Sequence, residues 1–360
     1  MKEGLITKNI TTSLCDAPIR DESGSLKAIN ILMAILSIIP GTTRYAYKII
    51  TPGQSLDPDD LSLMVSSYVG LACAIVIDRG AIPSGLGRDI WTLDFSSITN
   101  FGKYFYIMEI VYFVELTFLK LSLLFFYKKI FPYAGVQKLL WGTIAFNIMF
   151  GVAFTTASIF QCQPIRYYWT KWDGEQKSGK CLNFNALAWA NAAISIAVDF
   201  WMLAIPLSQI VHLKMAARKK IAVTSMFLVG TFVTVVSILR LQSLVAFANS
   251  TNPTWDQWDV TRWSVIEINV GITCACMPTL RVLLARCLPK MFGPTADSSN
   301  RYPQQHVPRK GTGGESSPHV EFIDIIIDAE SDLKSGERVA VARNKQPEDD
   351  EIELVKVGDK

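Results

Sequence analysis

Seven apolar stretches, each long enough to cross a bilayer, occupy this chain between Leu26 and Leu284. Crossing the hydrocarbon core takes about 20 apolar residues in a helix, because only an uninterrupted helix satisfies its own backbone hydrogen bonds in lipid. The stretches predict spans at 26–49, 61–82, 104–127, 138–160, 186–211, 221–247 and 262–284. A soluble bundle would carry a polar stripe on each helix, whereas IAVTSMFLVGTFVTVVSIL (221–239) is apolar all round. The fold class expected is an all-α membrane protein, a bundle of seven transmembrane helices. Residues 1–25 form an extracellular N-terminal segment, 26–290 the membrane domain, and 291–360 a disordered cytoplasmic tail.

Charge is distributed unevenly. Residues 291–360 carry 9 Lys/Arg against 14 Asp/Glu, so the tail is acidic and the rest of the chain is basic. No basic run is long enough to suggest nucleic acid as a partner. The short basic clusters lie beside the spans, where anionic lipid heads are the natural neighbours. Residues 1–25 lack a continuous apolar core, so they read as no cleavable signal peptide, and the first span serves as the signal anchor. The tail is rich in Ser, Pro, Gly and charge, apart from VEFIDIIID (320–328), which reads as a docking segment or a transient strand.

Three signals orient the bundle with its N-terminus outside. Lys214, Arg218, Lys219 and Lys220 cluster between spans five and six, which places that loop in the cytoplasm. Cys162 and Cys181 share the loop between spans four and five, on the opposite side, where an oxidising compartment lets them pair. The sequons at Asn9 and Asn249 fall on that same side. Cys15 is left there without an evident partner.

Ionisable residues inside spans face the bundle interior and are functional candidates. The sequence offers Glu109, Glu115 and Lys120 in span three, Asp199 in span five, Arg240 in span six and Glu267 in span seven. At about 1.5 Å per residue, Lys120 reaches the level of Asp199, and Arg240 that of Glu267. Lys120–Asp199 and Arg240–Glu267 are therefore expected as ion pairs, and Glu115 has no evident partner. Such pairs serve helix register, or the outer group of Glu109, Arg240 and Glu267 forms a ligand or proton site; the sequence leaves both open. Trp169, Trp172, Trp189, Trp255, Trp258 and Trp263 read as an interfacial belt, some of them bordering a ligand entrance.

The three histidines (His212, His306 and His319) have no spacing suited to a metal site or a catalytic triad, and no phosphate-binding glycine loop is present. Gly85-Leu-Gly87 reads as a short turn. The chain is expected to be no enzyme and to need no cofactor; span seven has no lysine on which retinal could form a Schiff base.

Six segments carry a family resemblance: SGLGRDIWTL (84–93), FLKLSLLFFYKKIF (118–131), FQCQPIRYYW (160–169) with Cys181, DFWMLAIP (199–206), SILRLQSL (237–244) and WSVIEINVGITCACMPTLRVLL (263–284). In that order they resemble the fungal rhodopsin-like domain family, seven-span proteins related to receptor-like proteins of plant-pathogenic fungi. The resemblance implies an integral membrane protein like a G-protein-coupled receptor, without retinal. Some relatives carry a cysteine-rich CFEM domain ahead of the helices, and CDAPIRDESGS (15–25) resembles the end of one. Asp89 departs from the family, which usually has a histidine there, as does the missing tryptophan after Asp59-Asp60.

The function that follows is a plasma-membrane receptor for an unknown extracellular ligand. It would act on a heterotrimeric G protein or another cytoplasmic effector through the loops at 128–138 and 212–220. A proton-coupled carrier using the buried charges, or an accessory protein of a secondary-metabolite pathway, are the competing classes.

Overall fold

A computed structural model describes residues 2–51, 56–174, 179–212, 217–248 and 250–287, with side-chain surroundings left undescribed at 209–226 and 281–287. The tail at 291–360, its segment 320–328, Asn249 and residues 213–216 of the 212–220 loop fall outside the described residues. A short helix, α1 (Lys2–Leu14), comes first. The membrane domain follows with α2 (Ser23–Ile50), α3 (Pro58–Val76, prolonged by a π turn over Ile77–Ala81), α4 (Phe95–Ile130) and α5 (Ala134–Ile159). After a loop come α7 (Phe184–His212), α8 (Ala217–Ala248) and α9 (Pro253–Cys287). These seven long helices are each apolar enough to cross a membrane, so the chain is a multi-pass, all-α membrane protein. The loop holds the single turn α6 (Tyr167–Thr170) and two-residue strands β1 (Cys162–Gln163) and β2 (Lys180–Cys181), paired antiparallel with Cys162 opposite Cys181.

Helix α2 shows how the bundle is patterned. Its buried residues recur every three to four positions from Leu26 to Arg44, and three of them, seven apart, are polar: Asn30, Ser37 and Arg44. Each finds a partner on another helix. Asn30 Nδ2 donates to the Ala74 carbonyl (2.9 Å), Ser37 Oγ to Asn269 Oδ1 (2.5 Å), and Arg44 to three groups described below. The opposite face presents Leu32, Ile35 and Ile39 outward, as a lipid-facing surface must be apolar.

The long helices form a closed ring in the order α2, α3, α4, α5, α7, α8, α9, with α4 also crossing the interior to touch α9. Close approaches rest on small residues, as expected where lipid supplies no hydrophobic drive between helices. A Cβ on Gly151 of α5 would come within 2.9 Å of Thr117 Cβ on α4, and one on Gly271 of α9 within 2.5 Å of Leu119 Cδ2.

Two helices, α4 and α9, begin nine residues earlier than hydropathy predicts. Helix α9 starts at Pro253 rather than 262, because Asn252 and Pro253 set up its first turn and Asp256 suits its positive end. Helix α4 starts at Phe95 rather than 104, its polar first turns packed under the α6 loop through Gly102 and Trp169. Hydropathy sees only the part in lipid.

Gly85-Leu-Gly87 is more than a short turn. Both glycines hold positive φ (108° and 86°), and a Cβ on Gly87 would meet the Ser23 nitrogen at 3.1 Å. The bend lets Gly87 accept from Glu22 N and donate to the Thr254 carbonyl, so one loop staples α2 to α9. Asp89, the departure from the family pattern, is the buried hub of this staple. Its carboxylate takes Arg20 Nη2 at 2.5 Å and Asn252 Nδ2 at 2.7 Å, while Asn252 Oδ1 accepts Ile90 N. Arg88 pairs with Asp21 alongside. Burial is the largest single influence on the Asp21 carboxyl and raises it, but hydrogen bonds from Ser23 and the Arg88 guanidinium together outweigh it and hold the group below its usual range.

Candidate ligand site

Helix α4 sets one wall of the interior. Glu109, Tyr112 and Glu115 stand three residues apart and so share one face, each step about 4.5 Å further from the disulfide end of the bundle. Glu109 meets the end of α5 and the loop: its carboxylate accepts Gln161 Nε2 at 2.9 Å, Ser158 Oγ at 3.3 Å and Tyr168 Oη at 3.4 Å. Burial, and then the Glu109 charge, push the Tyr168 phenol well above its usual range. Lys171 above them has its ammonium pKa drawn down by burial, with the Glu109 charge pulling the other way.

One step deeper, Tyr112 Oη donates to Glu267 Oε2 at 2.9 Å, and the Arg240 guanidinium lies over the Tyr112 ring, 4.7 Å from its centre. Arg240 Nε lies 3.0 Å from the same Glu267 oxygen. That contact is an ion pair in distance but off-line as a hydrogen bond, so Arg240 Nε and Nη2 are both without a hydrogen-bond partner among the described residues. Ser237 Oγ donates to Glu267 Oε1 at 2.5 Å and lies 3.3 Å from Asp199 Oδ2. Asp199 in turn meets Lys120 Nζ at 2.7 Å, and Lys120 also donates to the Ser195 carbonyl and hydroxyl. The result is one continuous polar chain, Arg240–Glu267–Ser237–Asp199–Lys120, joining α4, α7, α8 and α9 with two charges of each sign.

Glu115 stands apart. It is 3% exposed, and no described residue hydrogen-bonds its carboxyl. Gly70 on α3 makes room for it, since a Cβ there would lie 2.2 Å from Glu115 Oε1.

These groups border a cavity of about 100 Å³ between α3, α4, α7, α8 and α9. Its walls include Glu109, Tyr112, Glu115 and Arg240 with Phe105, Phe113 and Phe184, while Glu267, Asp199 and Lys120 lie behind them. A space of that size takes several waters or a small organic molecule. Besides Arg240, the wall holds two more buried atoms without partners, Asn191 Nδ2 and Gln257 Oε1. Asn191 also borders a second space of about 10 Å³ beside Asn147 and Lys120, room for one water.

The opposite end of the bundle carries a charge cluster that the list of ionisable span residues passes over. Arg44 of α2 is 3% exposed. It donates to Asp60 Oδ1 (2.8 Å), Asp59 Oδ2 (2.6 Å) and the Ala275 carbonyl of α9 (2.5 Å), three residues before Pro278. Lys129 at the end of α4 reaches Asp59 Oδ1 at 2.7 Å and Asp57, and Lys48 bonds Asp60. Three basic groups thus meet three carboxylates across α2, α3 and α4. Arg44 lies near the end of a predicted span, and an Arg placed there reads as a snorkelling anchor; the signal that could have found it is the seven-residue polar stripe of α2.

At the disulfide end, Cys162 is bonded to Cys181, and Cys15 is free and exposed. Asn9 is exposed in α1, a helix that residues 1–25 did not announce. Of the tryptophans, Trp172 bonds Thr99, Trp189 the Leu244 carbonyl and Trp258 the Glu22 carbonyl.

A seven-helix membrane bundle with a polar interior cavity is the class that this geometry defines. The model of the fungal rhodopsin domain matches residues 43–286, and the chain belongs to that family. Among curated proteins, it is 30% identical over 212 residues to a SAT4 family membrane protein of Emericella nidulans, covering 57% of this chain and 52% of that one. It is 26% identical over 200 residues to Receptor GIN3 of Arthrobotrys oligospora, covering 55% and 48%. A polyenoic acids biosynthesis gene cluster protein, Ba17b of Metarhizium anisopliae, is 24% identical over 280 residues, covering 74% and 75%. The chain thus spans about half the length of the first and of GIN3. No solved structure matches the chain.

Proposed function

We propose that the chain is a plasma-membrane receptor whose cavity between α3, α4, α7, α8 and α9 takes a small extracellular molecule. The disulfide end faces outward, and the end carrying Arg44, Asp59 and Lys129 faces the cytoplasm, where a G protein or another effector binds. One observation carries the reading: four buried polar atoms on three residues of the cavity wall, Arg240, Asn191 and Gln257, have no hydrogen-bond partner among the described residues. Unsatisfied buried groups are costly, and a ligand that completes them gains what the apo protein forgoes. Arg240 is also the end of the polar chain that reaches Lys120, so occupancy of the cavity biases contacts on four helices at once. The relative named Receptor GIN3 supports a receptor by analogy alone.

The names of three relatives favour a second reading, an accessory membrane protein of a biosynthetic cluster; besides Ba17b these are a satratoxin cluster protein and a fugralins cluster protein. Filling the cavity separates the two. Ser264→Phe places a ring among its walls, and a strain carrying it should reach the surface normally yet lose every response to extracellular cues seen with the unaltered chain. A response that survives the filled cavity sinks the receptor reading, and substrate flux in proteoliposomes would replace it with a carrier.

A further inference from the structure

The cavity's charges and free hydrogen-bonding atoms also narrow the kind of molecule it takes. Resting on the receptor reading above, we infer that the ligand is a neutral, largely apolar molecule that presents a carbonyl or similar oxygen acceptor to Arg240 and Asn191, rather than a carboxylate or an amine.

The free atoms at mid-depth are donors. Arg240 and Asn191 both line the cavity, and Arg240 Nη2 and Asn191 Nδ2 have no hydrogen-bond partner among the described residues. They lie at one level. Trp189 donates to the Leu244 carbonyl, which sets antiparallel α7 and α8 in register and puts Asn191 opposite residue 242. Two residues along α8 separate that level from Arg240, about 3 Å of rise. Because α7 and α8 are neighbours, a single oxygen acceptor between them at that level can take a hydrogen bond from each.

Net charge decides between a neutral acceptor and an anion. Arg240 already faces Glu267 at 3.0 Å, and Lys120 faces Asp199 at 2.7 Å, so the polar chain sums to zero. The remaining ionisable groups of the wall, Glu109 and Glu115, are both acidic. A carboxylate entering this space would find hydrogen-bond donors but no uncompensated positive charge, and its desolvation would go unanswered. A neutral carbonyl uses the same donors without that cost, and hydrogen bonds from a charged donor are the stronger kind. An amine would need one of the two carboxyls. Glu109 already receives three hydrogen bonds from Ser158, Gln161 and Tyr168. Glu115 is open, but an ammonium held there would sit about one helix turn from the Arg240 guanidinium. Phe105, Phe113 and Phe184 supply apolar walls for the body of the molecule, and Gln257 Oε1 towards the mouth accepts from a hydroxyl or N–H on its outer end.

Three probes that share one skeleton test the charge class: methyl phenylacetate, phenylacetate and 2-phenylethylamine. The full chain in nanodiscs is titrated with each and saturable changes in its thermal midpoint are recorded. The ester should bind at least tenfold tighter than either charged probe, and Ser264→Phe should abolish its effect. Arg240→Lys keeps a charge for Glu267 but removes Nη2, and should weaken the ester tenfold or more; Asn191→Leu, which leaves every ion pair intact, should weaken it several-fold. Tightest binding by phenylacetate makes the site an anion site, and tightest binding by the amine makes Glu115 the anchor; either overturns the inference while the cavity stands. Ester binding that ignores both Arg240→Lys and Asn191→Leu overturns it too. If no probe acts on the wild type, or Ser264→Phe responds like wild type, the cavity reading fails and the inference falls with it.

Discussion

Glu267→Gln isolates what the buried ion pair contributes. The substitution keeps the size of the side chain and removes one charge. Glu267 is 1% exposed and Arg240 3% exposed, so neither can turn to water. Glu267 accepts from Tyr112 and Ser237 as well as facing Arg240, and an amide oxygen can still accept from one of those hydroxyls. Breaking one partner of a buried pair costs about 3–5 kcal/mol, because the other charge is left uncompensated. Some of that is recovered here, since Asp199 lies across Ser237 from Glu267 and its charge also acts on Arg240. The lower end, about 3 kcal/mol, is therefore expected. Thermal unfolding in nanodiscs and the fraction of tagged protein at the cell surface both read it. Neutralising the pair together, Arg240→Met with Glu267→Gln, should restore most of the loss, because the uncompensated charge is gone. Exchanging the charges, Arg240→Glu with Glu267→Arg, should restore less, because a carboxylate at 240 would replace the cation over the face of Tyr112 and would feel the like charge of Asp199. Equal damage from single and double variants would show that shape, not charge balance, sets the cost, and normal behaviour of every single variant would mean that water reaches the pair.

Other outcomes follow from the packing. Arg44→Gln leaves two nearly inaccessible carboxylates with fewer partners and should cost about 3 kcal/mol in unfolding assays, whereas Lys129→Ala, on a side chain 40% exposed, should cost about 1 kcal/mol or less; similar losses would refute the burial argument. Gly151→Ala drives a Cβ into Thr117 and should destabilise by about 1–3 kcal/mol, with relief from Thr117→Ala in a double-mutant cycle; additive effects would mean that the two helices part freely. Replacing Cys162 and Cys181 by serine opens a loop with a sequence separation of 19 and should cost about 3 kcal/mol; non-reducing peptide maps of surface protein should contain the joined pair, and two free thiols there would reject it.

The bundle was legible because lipid makes one demand, continuous apolar helix, that overrides local propensity. The starts of α4 and α9 were not, since their first turns lie beyond the apolar stretch and are set by Asn252, Pro253 and the α6 loop. Depth arithmetic could set Lys120 level with Asp199 and Arg240 level with Glu267 because rise along a helix is nearly invariant; the charged atoms of the two pairs lie 2.7 Å and 3.0 Å apart. Which charges line the cavity was not legible: Glu267 and Glu109 read alike in sequence, yet one sits behind Arg240 and the other in the wall. Arg44 escaped notice because span ends tolerate basic residues, and only its seven-residue spacing from Asn30 and Ser37 marks it as inward. Asp89 read as a departure from the family pattern, but its partners come from α9 and the N-terminal segment, which no local pattern connects.

The central claim, a ligand cavity open to the outside, is tested most directly by labelling Ser264→Cys in intact cells with a membrane-impermeant thiol reagent. Val245→Cys, on an exposed apolar position of α8, serves as the lipid-facing control. The account predicts that Ser264→Cys is modified from outside, that Val245→Cys is not, and that a ring at neighbouring Thr261 (Thr261→Phe) slows the modification. Modification of Ser264→Cys only after the cells are permeabilised would contradict it, placing the cavity on the cytoplasmic side.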